Sequence, residues 1–340
     1  MTMRWYGALT LALGLFAVTD AVCESRPQDQ LKLEEIPFKI VYETYRKTNG
    51  RENWELYLVS ADSPNPTNLT GTADVDEMYP KVSPDGSKIC FAADELVGSK
   101  KIRSIYYMNM DGSGRVKVAE NARQPCWSPD SKIIAYSKGE FDRYTTTDYA
   151  TKGLFLYNIQ TAEHKDHPNK KLFHLYNICW SPDGKWFIAT VHGGMGYKHT
   201  NLAVEAAGTK VFDLGLKGCR PDVTADGKKI VWCPDEKVLW VGDLDLTSSR
   251  PRVANQRVLF AQSGPDIFQQ QADWSPHGQL IAFGRGPKEG GLGRYPVAPG
   301  NPAKGWDICV GSLTGKWVQV TTDGNHNKEP DWVPIPSAGR

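Results

Sequence analysis

Short apolar runs recur along the chain at 88–92 (KICFA), 132–136 (KIIAY), 185–190 (KWFIAT), 228–232 (KKIVW) and 279–283 (QLIAF). They are rich in β-branched and aromatic residues and too short for helices, so each predicts a strand. A turn signal precedes each one: Ser83-Pro84-Asp85-Gly86, Ser128-Pro129-Asp130-Ser131, Ser181-Pro182-Asp183-Gly184, Thr224-Ala225-Asp226-Gly227 and Ser275-Pro276-His277-Gly278. A Trp or Val stands just before every copy, and a truncated copy closes the series at 329–334 (EPDWVP). Pro presets φ for a type I turn and Gly accepts the left-handed conformation, so each copy predicts a hairpin with a three-residue loop and a bulge.

A third apolar run follows each hairpin, at 104–109, 153–158, 201–204, 238–242 and 306–310, and weaker fourth runs appear at 115–118 and 316–320. Four strands per unit, recurring every ~40–50 residues, predict propeller blades. The ends complete the pattern. Runs at 39–42, 55–58 and 68–70 supply three strands of a blade that lacks its first, and 331–333 supplies a first strand with nothing after it. Joined, they leave no free sheet edge. The expectation is an all-β, six-bladed β-propeller closed by its two termini, with a seventh blade left open should an interblade stretch hide one. The Ser-Pro-Asp-Gly repeat, with Trp before it, resembles the TolB-like branch of the WD40-like propellers over roughly residues 36–335.

The 40 Lys and Arg against 39 Asp and Glu give a net charge near +1 with no basic stripe, which disfavours nucleic-acid binding. Residues 1–21 read as a secretory leader: Arg4 precedes an apolar core at 8–18, and Thr19, Asp20 and Ala21 offer small residues for cleavage. The apolar run is too short to span a bilayer. Asp20 and Val22 fit poorly around Cys23 for lipidation. Residues 22–35 form a polar linker, 36–335 a single propeller domain and 336–340 a tail. Export places the chain in the periplasm or an equivalent compartment, where disulfides are possible.

Cys90, Cys126, Cys179, Cys219, Cys233 and Cys309 follow the leader. If Thr224 opens its turn and Lys228 closes it, Cys219 falls directly opposite Cys233, which predicts a disulfide; two buried free thiols are the alternative. Cys126 and Cys179 precede the repeat Trp in neighbouring blades and read as small packing residues rather than a bridge or metal pair.

Few chemical signatures appear. The chain has no Cys-x-x-Cys-His, so no covalently bound haem is expected on it, and no zinc-type cysteine pairs, His-Glu-x-x-His or Gly-x-Ser-x-Gly. On one face of a propeller, loops joining strand four to strand one ring the channel mouth. Here they carry Arg123, His174, Arg220, His326 and Glu329, suited to a polar partner or to simple filling of the channel. Loops joining strands two and three carry the irregular features. One is a Gly-rich stretch at 192–199 with His192, Tyr197 and His199, either a flexible loop or a contact for a metal or haem partner. Two longer stretches follow, 139–152 with Phe141, Arg143 and Tyr144, and 284–305 with Arg285, Arg294 and Tyr295. Aromatic and Arg side chains on long loops suit protein docking. His164 and His167 sit in a polar turn and read as solvated.

Two functional readings follow. The leader, single propeller and docking loops fit a non-catalytic subunit of an exported complex. The stretches at 193–202, 217–222 and 325–332 resemble propellers of anaerobic ammonium-oxidising bacteria, and the layout is similar to hydrazine synthase β subunits. That resemblance implies a haem-free subunit packed against multi-haem partners. It would shape the path of an intermediate in hydrazine formation from nitric oxide and ammonium, in the anammoxosome. The alternatives are a TolB-type envelope adaptor, against which stands the missing N-terminal domain, or a lyase-like carbohydrate enzyme. Such a lyase would draw on His326, His174, Arg123, Arg220 and Tyr176 around a metal, provided they converge.

Overall fold

The computed structural model describes residues 31–48, 50–139, 151–261, 264–289, 296 and 300–334. The leader, Cys23, Phe141, Arg143, Tyr144, Arg294, Tyr295 and the tail lie outside the described residues.

Each repeat turn is closed by its leading hydroxyl. Ser83 Oγ donates to Asp85 (2.6 Å) and accepts the Lys88 N–H (2.9 Å), while Gly86 turns at φ +71°. Ser128, Ser181 and Thr224 repeat this with Asp130, Asp183 and Asp226, and Ser275 does so with His277. Backbone pairing of the Ser83 N–H with the Lys88 carbonyl makes the loop four residues long, not three. The hydroxyl's bond to that same Lys88 N–H holds the turn at this width.

The strands these turns join form six four-stranded antiparallel sheets. The first blade holds β1 (Lys39–Thr48), β2 (Arg51–Ser60) and β3 (Ser63–Asn68); the second β4 (Val75–Val82), β5 (Lys88–Val97), β6 (Lys100–Asn109) and β7 (Val116–Glu120). The third has β8 (Ala122–Trp127), β9 (Ile133–Gly139), β10 (Thr151–Asn158) and β11 (His164–Asp166); the fourth β12 (Leu175–Trp180), β13 (Trp186–Gly194), β14 (Tyr197–Glu205) and β15 (Val211–Leu216). The fifth has β16 (Cys219–Val223), β17 (Lys229–Cys233), β18 (Leu239–Asp245) and β19 (Arg252–Phe260); the sixth β20 (Ile267–Trp274), β21 (Leu280–Pro287), β22 (Asp307–Ser312) and β23 (Trp317–Gln319). The last strand, β24 (Lys328–Trp332), returns to pair with β1, with Ile40 opposite Trp332 and Val41 opposite Asp331. The chain is thus a six-bladed propeller closed by its own ends, as expected.

The apolar core lies between the blades. Met78 and Ile105 of the second blade pack with Trp127, Ile134 and Tyr136 of the third. The repeat Trp also ties blades by hydrogen bonds. Trp127 Nε1 donates to the Lys81 carbonyl (2.8 Å) and Trp274 Nε1 to the Asp222 carbonyl (3.2 Å), each on the preceding inner strand. Trp180 instead bonds the Gly184 carbonyl of its own turn (3.1 Å). Among the described residues no helix is long and apolar enough to cross a membrane.

One expected loop and the start of another prove to be strand. Residues 192–199 are the continuation of β13 and β14 into a tight hairpin, because the cross-strand ladder runs out to Gly194 opposite Tyr197. Arg285 belongs to β21, opposite Asp307, with its guanidinium 4.6 Å from the centre of the Trp317 ring. Gly286 flanks it because Trp306 fills the space where a side chain would be, and Gly284 because Gln271 Oε1 does; Trp306 Nε1 bonds the Pro287 carbonyl (2.8 Å). Those glycines therefore serve packing, and Arg285 lies on a strand rather than in a loop.

Candidate functional site: the axial channel and a histidine hairpin

Every innermost strand is interrupted at the same place by a non-glycine residue in the left-handed region. These are Tyr79, Gln124, Asn177, Arg220, Gln271 and Glu329, with φ between 48° and 62°. Each strand ladder slips at that point, a bulge repeated around the ring. Such a conformation is costly for side chains with a Cβ and persists only where surroundings hold it. Here the preceding blade holds it. Glu43 accepts the Tyr79 N–H (2.8 Å), Gln124 the Asn177 N–H (2.6 Å), Thr190 the Arg220 N–H (3.1 Å) and Gln271 the Glu329 N–H (3.1 Å).

The bulge turns all six residues to the axis, where they line a small space of about 50 Å³, room for a few waters at most. Arg220 and Glu329 meet across it at 2.6 and 2.8 Å. The amide Nε2 of Gln271, a buried residue lining the same space, has no partner among the described residues.

Two residues further along, a second ring faces the axis: Lys81, Cys126, Cys179, Asp222, Asp273 and Asp331. Three consecutive blades supply the acids. Each carboxylate accepts a backbone N–H of the next blade: Asp222 from Trp274 (2.8 Å), Asp273 from Trp332 (2.9 Å) and Asp331 from Val82 (2.6 Å). Lys81 supplies the balancing charge, 2.5 Å from Asp331 and 3.4 Å from Asp273. Burial pushes Asp222 and Asp273 up to about 6 against the pull of Lys81. Burial opposes charge on Lys81, but Asp331, Asp273 and Asp222 outweigh it and hold the ammonium on. The lysine stands where a cation bound by these acids would stand. Beyond this ring the channel opens as a funnel of about 500 Å³, walled by Pro84, Pro129, Pro182 and Pro276 of the repeat turns and by their Trp residues. The axis is thus blocked by two charged layers with a few waters' room between them.

The channel-mouth residues expected from sequence divide. Arg220 and Glu329 line the axis. Arg123 is buried on β8 opposite Ser137. His326 packs edge-on to Tyr45 and Trp54 of the first blade and accepts the Ala303 N–H (2.7 Å). His174 bonds the Gly193 carbonyl (3.0 Å) in the fourth blade. Of the lyase-type set Arg220 alone lines the axial space, and no group of three or more His, Cys, Asp or Glu is arranged for a metal among the described residues. The second ring was overlooked, although its members stand directly before the repeat Trp or Val in all six copies.

The cysteine register holds with a different cause. The turn pairs Thr224 with Lys229, one residue later than expected, and the bulge at Arg220 shifts the ladder back, so Cys219 does lie opposite Cys233. Both are nevertheless free thiols, so the expected disulfide is absent. Burial pushes Cys219 up to about 11 and Cys233 well above the ordinary thiol value, which leaves neither as the thiolate that exchange requires. Cys90, Cys126, Cys179 and Cys309 are free as well.

The Gly-rich stretch builds the second feature. Gly193, Gly194, Met195 and Gly196 all have positive φ, which makes a tight turn between β13 and β14. A side chain on Gly194 would crowd the His174 ring, so the glycine lets His174 lie beneath the hairpin. His192 and His199 face each other across the strands with ring centres 4.4 Å apart and planes 26° apart. Tyr176 meets His192 edge-on at 4.7 Å. Partial burial and mutual crowding lower the pKa of His192, and partial burial lowers that of His199, so both are neutral near pH 7. Of the two histidines expected to be solvated, His164 is exposed and bonds the Tyr136 hydroxyl (2.9 Å), whereas His167 is fully buried and bonds the Glu205 carbonyl (2.9 Å).

No family model and no curated protein sequence matches the chain. Solved structures do match in fold. A chain of Kuenenia stuttgartiensis hydrazine synthase aligns over 88% of this chain at 12% identity with a TM-score of 0.60, and this chain spans 48% of its length. A chain of the nidogen/laminin complex aligns over 87% at 8% identity, TM-score 0.58, covering 98% of that chain. A putative TolB from Agrobacterium tumefaciens aligns over 88% at 12% identity, TM-score 0.40, covering 100% of it. At these identities the likeness is one of fold alone, and the six four-stranded sheets make the chain a six-bladed β-propeller.

Proposed function

We propose that the chain is a non-catalytic docking subunit of an exported multi-protein complex, of the kind that hydrazine synthase exemplifies. The observation that carries this reading is the face opposite the repeat turns. There the hairpin of β5 and β6 ends in Leu96 and Val97, 69% and 52% exposed, beside Lys100 and Lys101. On the same face Phe173 is 36% exposed next to the histidine hairpin. Apolar side chains at the tips of rigid strand extensions, rimmed by charge, suit a protein partner. The two charged layers across the axis also exclude the channel as a conduit for anything larger than water, so an intermediate moving between partner sites would pass over this face.

In this reading the chain contributes shape, and multi-haem partners carry the redox chemistry in the periplasm or the anammoxosome. Purification of the tagged chain from its own host tests it. Co-purifying proteins with Cys-x-x-Cys-His motifs and haem absorbance support the reading. A chain recovered alone, without haem, at native expression level overturns it.

A further inference from the structure

We propose that His192 and His199 form an open, two-imidazole site for a borderline divalent transition metal such as Zn²⁺. The inference is independent of the docking reading. The chain has seven histidines. Five have their ring nitrogens engaged in hydrogen bonds: His164 with Tyr136, His167 with Glu205, His174 with Gly193, His277 with Ser275 and His326 with Ala303. His192 and His199 are the two whose ring nitrogens make no hydrogen bond among the described residues, and they are the two that face each other.

The backbone presents them together. Directly opposite residues on antiparallel strands project from the same face of the sheet, with Cβ atoms about 5 Å apart. The rings are stacked with their centres 4.4 Å apart, within reach of one shared ion. A modest rotation about the last side-chain bond of each ring turns one nitrogen of each toward a shared point at about 2.0–2.1 Å. The turn beneath has four successive positive φ values and is tied to the blade by the His174 bond to the Gly193 carbonyl. Tyr176 against His192 limits the ring's alternatives. Both histidines retain exposed surface, so water completes the coordination. Neutral imidazole selects Zn²⁺, Cu²⁺ or Ni²⁺ over Mg²⁺ or Ca²⁺. The water-filled positions make this a site that a partner's side chain could complete.

The test is calorimetric titration of ZnCl₂ into the full chain, purified without a polyhistidine tag and stripped with chelator, with MgCl₂ as the comparison. The expected result is one Zn²⁺ per chain and no Mg²⁺ binding, with His192→Ala and His199→Ala each weakening Zn²⁺ by at least about tenfold. His192→Asn and His199→Gln, which keep the hairpin's polar surface, are expected to do the same with unchanged thermal unfolding in chelator. His277→Ala is expected to bind as wild type. Undiminished Zn²⁺ binding in the folded double variant, or no binding by the wild type, overturns the proposal.

Discussion

Arg220 reaches across the channel axis to Glu329, holding its two carboxylate oxygens at 2.6 and 2.8 Å. Arg220 belongs to the fifth blade and Glu329 to the strand that closes the ring onto the first. The pair is almost wholly buried, with side chains about one-tenth exposed, 10% and 11%. Removing one member strands a buried charge, which costs about 3–5 kcal/mol. Glu329→Gln should therefore lower stability by that order in denaturant unfolding. The double variant Arg220→Met, Glu329→Leu should recover most of the loss. Equal losses in the single and double variants would show that the pair is not what holds these two strands.

The second ring gives a pH signature. Asp222 is raised from 3.8 to about 6, chiefly by burial. A carboxyl whose folded pKa lies above its unfolded value adds stability that is complete below the unfolded value and lost as pH rises through the folded one. Asp222→Asn keeps an acceptor for the Trp274 N–H and cannot ionise. The stability of the wild type relative to Asp222→Asn should fall between about pH 4 and pH 7, by roughly 3 kcal/mol. A difference that stays flat over that range would contradict the assignment.

The repeat hydroxyls should be individually measurable. Ser181 is fully buried, and its Oγ both donates to Asp183 (2.6 Å) and accepts the Trp186 N–H (2.9 Å). Ser181→Ala leaves that N–H unpaired and should cost about 1–3 kcal/mol. Ser181→Thr, the residue type found at Thr224 in the fifth copy, should lose less. Thermal unfolding of the two variants checks the order.

Cys219 and Cys233 should behave as buried free thiols. At pH 8 both should resist alkylation in the native protein and react fully in denaturant, because burial keeps them protonated. Mass spectrometry without reductant reads this directly. A mass two protons lower, mapping to a Cys219–Cys233 peptide, would restore the disulfide that the strand register suggests.

The architecture was legible because repeat, turn and strand patterns agree. Six copies of one motif forced six blades, and two incomplete ends forced closure. The axial rings were harder to read. Lys81, Asp222, Asp273 and Asp331 stand in one column of the repeat, but strand alternation alone points that column nowhere definite. The bulge at Tyr79 and its five counterparts decides it, and bulges at non-glycine residues leave little trace in sequence. The same bulge rescued the Cys219–Cys233 register from a turn read one residue too short. The stretch at 192–199 was misread because its glycines suggested a flexible loop. They serve a tight turn over His174. Gly284 and Gly286 misled in the same way, since the residues that crowd them, Gln271 and Trp306, lie outside their own strand.

The central claim, that this propeller works as a subunit, is tested most directly by the size at which the untagged protein elutes from a native extract of its host. The chain alone has a mass of 37.8 kDa. The expected result is elution well above that mass, together with haem absorbance, and a shift to the monomer position when Leu96 and Val97 are replaced by Asp. Elution of the wild type near its own chain mass, without haem, would contradict it.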